Sequence, residues 1–174
     1  MTARILVAYA SKHGATTEIA KKIGEILQEA GLNVSVLSAE QVSDLTPFDA
    51  VVLGSAVYAG SWRKEAVKFL ETYASSLATI PVWFFSSDPT GEGDPNTLMK
   101  GWHFPTAQQP LADRIQPRDI AVFQGELDME KLNFAEKLII KGVKAPVGDF
   151  RNWDAITDWA ASIVDVLQGE AVKQ

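Results

Sequence analysis

Ile5-Leu6-Val7-Ala8-Tyr9-Ala10 is an unbroken apolar run of strand length. A strand without polar alternation has to be covered on both faces, and that is the condition of a strand inside a parallel sheet flanked by helices. The next segment fits that requirement. A short hydroxyl-rich joint, Ser11 to Thr17, leads into Ile19, Ile23, Ile26, Leu27 and Ala30 at helical spacing, with Gly31 as a stop.

The alternation continues along the chain. Val34 to Leu37 is a second short strand, and Asp49 to Gly54 is a third, set off by the turn signal Thr46-Pro47. Ala66, Leu70, Tyr73, Ala74 and Leu77 mark an amphipathic helix. Ile80 to Phe85 is strand four, with its proline at the start of the run, where it does least harm. Residues 86 to 118, rich in proline and glycine, read as loop with room for a short helix from Ala107 to Ile115. Asp119 to Phe123 is strand five. Helices are expected from Met129 to Lys141 and from Trp153 to Leu167, the latter with Trp153 and Trp159 read as packing residues.

Strands alternating with helices predict one α/β domain over residues 1–174, a doubly wound parallel sheet of five strands with helices on both faces. Ligands in such sheets sit outside the carboxyl ends of the strands, where the strand order switches. Three loops therefore become candidates: 11–17 after strand one, 55–62 after strand three and 86–95 after strand four.

In the first loop, helix-start N–H groups and a positive dipole end suit a phosphate, with Gly14 permitting close approach and Ser11, Thr16 and Thr17 adding hydroxyls. Lys12 stands at the rim. His13 reads as a phosphate donor or a loop cap rather than a base. The simpler reading is a capping threonine and a turning glycine. Neither a Gly-Lys-Ser/Thr phosphate loop nor a G-x-G-x-x-G dinucleotide fingerprint is present.

Ser11-x-x-Gly14-x-Thr16 between a strand and an amphipathic helix resembles the FMN-phosphate loop of flavodoxins. The resemblance is closer to the flavodoxin-like, menaquinone-dependent protoporphyrinogen oxidases. It is carried by His13 in the first loop, by Gly54-Ser55-Ala56-Val57-Tyr58-Ala59-Gly60 after strand three, and by Phe123-Gln124-Gly125-Glu126-Leu127-Asp128 after strand five. Asp149-Phe150-Arg151-Asn152-Trp153 at the entry to the last helix completes it. The resemblance implies a flavodoxin-like sheet in order 2-1-3-4-5 and one non-covalent FMN. The cofactor contacts it implies are Ser11, Lys12, His13, Gly14, Ala15, Thr16 and Thr17, then Ser55, Ala56, Val57, Tyr58, Ala59 and Gly60, then Ser86, Ser87 and Asp88. It further implies an oxidoreductase passing electrons to a quinone from a tetrapyrrole-type substrate. An electron-carrying flavodoxin docking on redox partner proteins, and an interaction module without flavin, are the alternatives.

Several residues keep two readings. Tyr58 stacks on a planar ligand or anchors its loop. Gly60 allows a peptide flip beside the flavin or merely turns the chain. Trp62 packs or joins the site. Ser86, Ser87 and Asp88 bind the pyrimidine edge or form an Asp-Pro turn. Glu92 and Asp94 are solvated charge or an acid–base pair. Trp102, His103 and Phe104 cover a ligand or join an interface, and this loop together with the helix from Met129 is expected to wall a substrate pocket.

Twenty-two acidic against 16 basic residues give a net charge of −6, which argues against nucleic-acid binding. The absence of cysteine excludes disulfides, thiol catalysis and thiolate metal sites. The two histidines, 13 and 103, share no ligand spacing, so no metal is expected. No apolar run reaches membrane-spanning length and no leader is evident, so a cytoplasmic protein is expected, with peripheral membrane contact left open.

Overall fold

Alternate side chains of the central strands enter two separate cores. This is seen in a computed structural model that describes residues 3–88, 94, 98–144 and 146–173. From β1 (Arg4–Ala10), β3 (Ala50–Tyr58) and β5 (Val82–Ser87), Leu6, Ala8, Val51, Leu53, Val82 and Phe84 enter one core. Ile5, Val7, Ala50, Val52, Trp83 and Phe85 enter the other. All are essentially fully buried, as a period of two demands of strands covered on both faces. Helices α1 (Ala15–Glu29) and α5 (Trp153–Lys173) close the second core, while α2 (Lys64–Leu77) and α3 (Gln109–Ile115) close the first.

With β2 (Asn33–Ser38) and β6 (Asp119–Phe123) at the edges, the parallel order is β2-β1-β3-β5-β6. This is the expected 2-1-3-4-5 arrangement, renumbered by one short strand. That strand, β4 (Ser61–Trp62), folds back antiparallel on the end of β3. The two residues between them, Ala59 and Gly60, have φ of 50° and 76°, the pair of positive values a tight two-residue hairpin turn requires. In register with Gly54 lies Phe85, whose ring would stand 2.0 Å from any Cβ at position 54. Only glycine leaves that ring its place in the core.

Several expectations change. The helix expected over Met129–Lys141 is two pieces: a 3₁₀ turn at Met129–Lys131, then α4 (Phe134–Val143). Asn133 and Glu136 form a reciprocal capping box, a local signal that outweighs continuous apolar periodicity. A second small sheet, β7 (Glu126–Leu127) with β8 (Gly148–Asp149), brackets this segment. Trp153 is no core residue. It is 37% exposed, with the Arg151 guanidinium 4.9 Å over its ring.

The segment 86–118 starts with Ser86 and Ser87 completing β5, and it contains α3 where a short helix was expected. Its aromatics turn inward. Phe104 is 4% exposed, stacked on Phe84 at 5.4 Å and set edge-on to Trp62, and Trp102 packs against the same core. His103 is exposed. Glu92 lies outside the described residues.

Candidate functional site

Gly14 sets the geometry of the first loop. Its φ of 94° makes it the N-cap of α1, its N–H donates to Ser11 Oγ at 3.0 Å, and no side chain caps the helix. The first-turn N–H groups at the start of α1 are therefore left with no capping side chain, as an anion site requires. Thr16 is not the cap. It lies within the helix and is 1% exposed.

This loop opens onto a cavity of about 630 Å³, within the ordinary range for a small-molecule or cofactor site. Ser11, Lys12, His13, Ala15 and Thr16 form one side of it. Ala56, Val57, Tyr58 and Ala59 come from the end of β3, and Ser87 and Asp88 from the end of β5. The first two predicted loops and, of the third, Ser87 and Asp88 come together at the carboxyl edge of the sheet; residues 89–93 and 95 lie outside the described residues.

Five of the expected residues are not among those that line the cavity. Gly14 and Thr17 belong to the start of α1, and Gly60 to the hairpin turn. Ser55 Oγ accepts from Arg63 N at 3.0 Å and donates to the Ala56 carbonyl. Ser86 is buried and accepts from Trp62 Nε1 at 2.8 Å, which resolves Trp62 as packing.

The opposite wall is one that residue patterns had not placed in detail. It consists of Gly125 to Leu127, Leu132, and the inner side of α4: Glu136, Ile139, Ile140 and Val143. Trp102 and Phe104 are absent from it: Phe104 packs on Trp62 and Phe84, and Trp102 packs against the same core. Arg63 also lines the cavity, paired to Glu65 at 2.9 Å, and was not anticipated. Its only signal was a cation immediately after the β4 hairpin.

The electrostatics divide by wall. Lys12 Nζ and His13 Nε2 both reach Glu136 Oε2, at 3.0 and 2.9 Å. The hydrogen bond from His13, then those from Lys12 and the Asn133 amide, hold the Glu136 carboxyl down at about 2. Burial pushes Asp88 up to about 6. The Tyr58 phenol is also raised, chiefly by burial and against the opposing Arg63 charge. Behind the loop, Arg151 is almost enclosed and binds Asp149 through two nitrogens, with Glu126 at 3.4 Å and Glu18 on α1. These hydrogen bonds, led by those to Asp149, raise the Arg151 pKa and lower that of Asp149. Arg151 thereby ties the start of α1 to the β7–β8 sheet.

Among the described residues there is no group of three or more His, Asp or Glu able to hold a metal. The set suits an organic ligand with one anionic end: N–H groups and hydroxyls at α1, a flat aromatic at Tyr58, an ionisable acid at Asp88 and an aliphatic wall on α4.

Comparison with known proteins agrees with this architecture. Protoporphyrinogen IX dehydrogenase (quinone) of Escherichia coli K12 is 24% identical over 165 residues, covering 90% of this chain and 88% of that protein. An archaeal flavodoxin superposes with a TM-score of 0.57 at 18% identity, over 81% of this chain and 99% of that one. Oxidised flavodoxin 1 from Bacillus cereus gives a TM-score of 0.59 at 15% identity, over 93% and 97%. The flavodoxin domain model matches residues 6–153, and the chain belongs to the flavodoxin domain family.

Proposed function

We propose that the cavity holds FMN, with its phosphate at the start of α1, and that the protein is an oxidoreductase acting on an organic substrate. The observation that carries the reading is the glycine-capped α1. Its first turn has no capping side chain and opens into a cavity of cofactor size in a chain of the flavodoxin family. When bound, FMN supplies the redox chemistry, and the protein fixes its position and surroundings.

Ser11 and Thr16 add hydroxyls to the helix-start N–H groups, and Lys12 stands at the rim. Tyr58 offers an aromatic plane to a planar ligand, with its phenol pKa raised further by burial. The Asp88 carboxyl, at about 6, changes protonation close to neutrality and is suited to hold or release a proton at the cavity. Ile139, Ile140 and Val143 give the far side of the cavity an aliphatic lining.

The aliphatic wall favours an enzyme over a pure electron carrier, since a carrier has no need to enclose an organic substrate. The E. coli relative's name, with both a tetrapyrrole and a quinone in it, supports a tetrapyrrole-type donor and a quinone acceptor. An electron carrier serving redox partner proteins is the second reading, favoured by the net charge of −6.

The test is titration of the purified chain with FMN, riboflavin and FAD, read by flavin fluorescence. Micromolar FMN binding, tighter than riboflavin, is expected, and no binding of any flavin overturns the proposal. Adding a quinone or a tetrapyrrole to the FMN-loaded protein then separates the readings. A saturable change in the visible spectrum supports the enzyme, and none supports the carrier.

A further inference from the structure

Helix α4 presents two unlike faces. The side bearing Glu136, Ile139, Ile140 and Val143 lines the cavity, so the exposure of Ile139 and Val143 belongs to that site. At 100° per residue, Phe134 and Leu138 project from the opposite side. They are 78% and 55% exposed, and α4 buries no residue at all. Lys137 and Lys141 lie along one edge of that side, and Lys144 follows as the left-handed C-cap of the helix. From Lys137 to Lys144 the chain holds three lysines and no acid, within a protein of net charge −6. None of these lysines makes an ion pair among the described residues.

We propose that the outer face of α4 docks on an anionic lipid bilayer. Phe134 and Leu138 enter the boundary between headgroups and acyl chains, and Lys137, Lys141 and Lys144 meet lipid phosphates. Charge complementarity selects this occupant. A cationic ridge on an acidic protein favours turning that face toward a negative surface. A second copy packed face to face would bring the same lysines together. The ten residues of α4 are too few to span a bilayer, but an apolar stripe edged by lysines is what an in-plane interfacial helix needs. Docking there leaves the cavity on the inner side of α4 close to the bilayer surface. The inference stands on this face alone, whether or not FMN binds.

The experiment is flotation of the full-length chain with phosphatidylcholine vesicles and with phosphatidylcholine–phosphatidylglycerol vesicles, at low and high salt. Affinity about a hundredfold higher for the anionic vesicles is expected from three lysines, falling with salt. The double substitution Phe134→Ser, Leu138→Ser should abolish binding to both. Lys141→Gln should weaken anionic binding about fivefold. These side chains are exposed, so far-UV circular dichroism and FMN binding should match wild type. Equal affinity for both vesicle types, no binding to either, or wild-type binding by the double variant each overturn the proposal. Sedimentation showing a dimer that the double variant loses, without vesicle binding, overturns it in favour of a second copy.

Discussion

The two walls of the cavity are built differently. The sheet-side wall is the loop ends of buried strands, with Ser55, Ser86 and Trp62 hydrogen-bonded behind it. The α4 wall is aliphatic side chains on a helix that buries nothing. A wall fixed by the sheet suits a constant group such as a cofactor. A wall made by one peripheral helix is free to differ without cost to the core, which suits substrate choice and docking.

The sharpest way to break this contrast is to remove one aromatic from each region. Phe104→Ala should cost about 3–5 kcal/mol in denaturant unfolding, the range for emptying a core aromatic site, because Phe104 is 4% exposed and stacked on Phe84. Phe134→Ala, at 78% exposure, should stay within about 0.5 kcal/mol. Similar values for both would mean that α4 is as integral to the fold as the sheet.

Next in size is the anion end. Thr16→Ala should weaken FMN by about 1–3 kcal/mol, the range for losing a hydrogen bond to a charged group, and leave riboflavin unchanged. Val143→Ala should leave both flavins unchanged and alter only the response to organic substrate. If Thr16→Ala weakens riboflavin equally, Thr16 supports the fold rather than the phosphate.

Asp88 gives a smaller, pH-dependent effect. Its folded-state value of about 6 lies above the reference 3.8, so the folded chain holds the extra proton. Stability accordingly falls as pH rises from about 4 to about 6. Asp88→Asn should raise stability at pH 7 by at most about 2 kcal/mol and change little at pH 4, measured by thermal unfolding at the two pH values. An equal change at both would locate the effect in packing rather than ionisation.

The smallest effect joins the walls. Glu136 on α4 holds Lys12 and His13 of the first loop, and Glu136→Gln removes its charge beside the cavity. FMN affinity should rise roughly fivefold at low salt. Weaker binding would show that the bridge orders the loop more than it repels the phosphate. With its folded value of about 2 below the reference 4.5, Glu136 in the wild type contributes stability that is present above about pH 4.5 and lost as pH falls through about 2.

The sheet and the sheet-side loops were legible because their signals are local and redundant. Continuous apolar runs report burial on both faces, and Ser11, Gly14 and Thr16 stand at a strand–helix joint whose place is fixed by topology. Where the reading failed, residue type was compatible with either fate. Trp102 and Phe104 looked suited to cover a ligand, yet Phe104 packs on Phe84 and Trp62, and Trp102 packs against the same core. Trp153 fitted the apolar stripe, but Arg151 holds it at the surface. The break before α4 was written in Asn133 and Glu136 and was obscured by the hydrophobic run around it.

The sequence by itself determined the alternation of buried strands and amphipathic helices and the loop that starts α1, since each depends on neighbours a few residues apart, while the strand order came from the family resemblance. Only the tertiary structure decided that Glu136 would meet His13 across 123 residues, and Lys12 beside it, that Arg151 would tie α1 to the β7–β8 sheet, and that α4 would turn an aliphatic face to the cavity and a lysine-edged one outward. Such pairings between distant residues carry no periodicity. Each arises when the packed sheet brings separate segments to one edge, and the side chains there satisfy charge and surface with whatever neighbours that edge supplies.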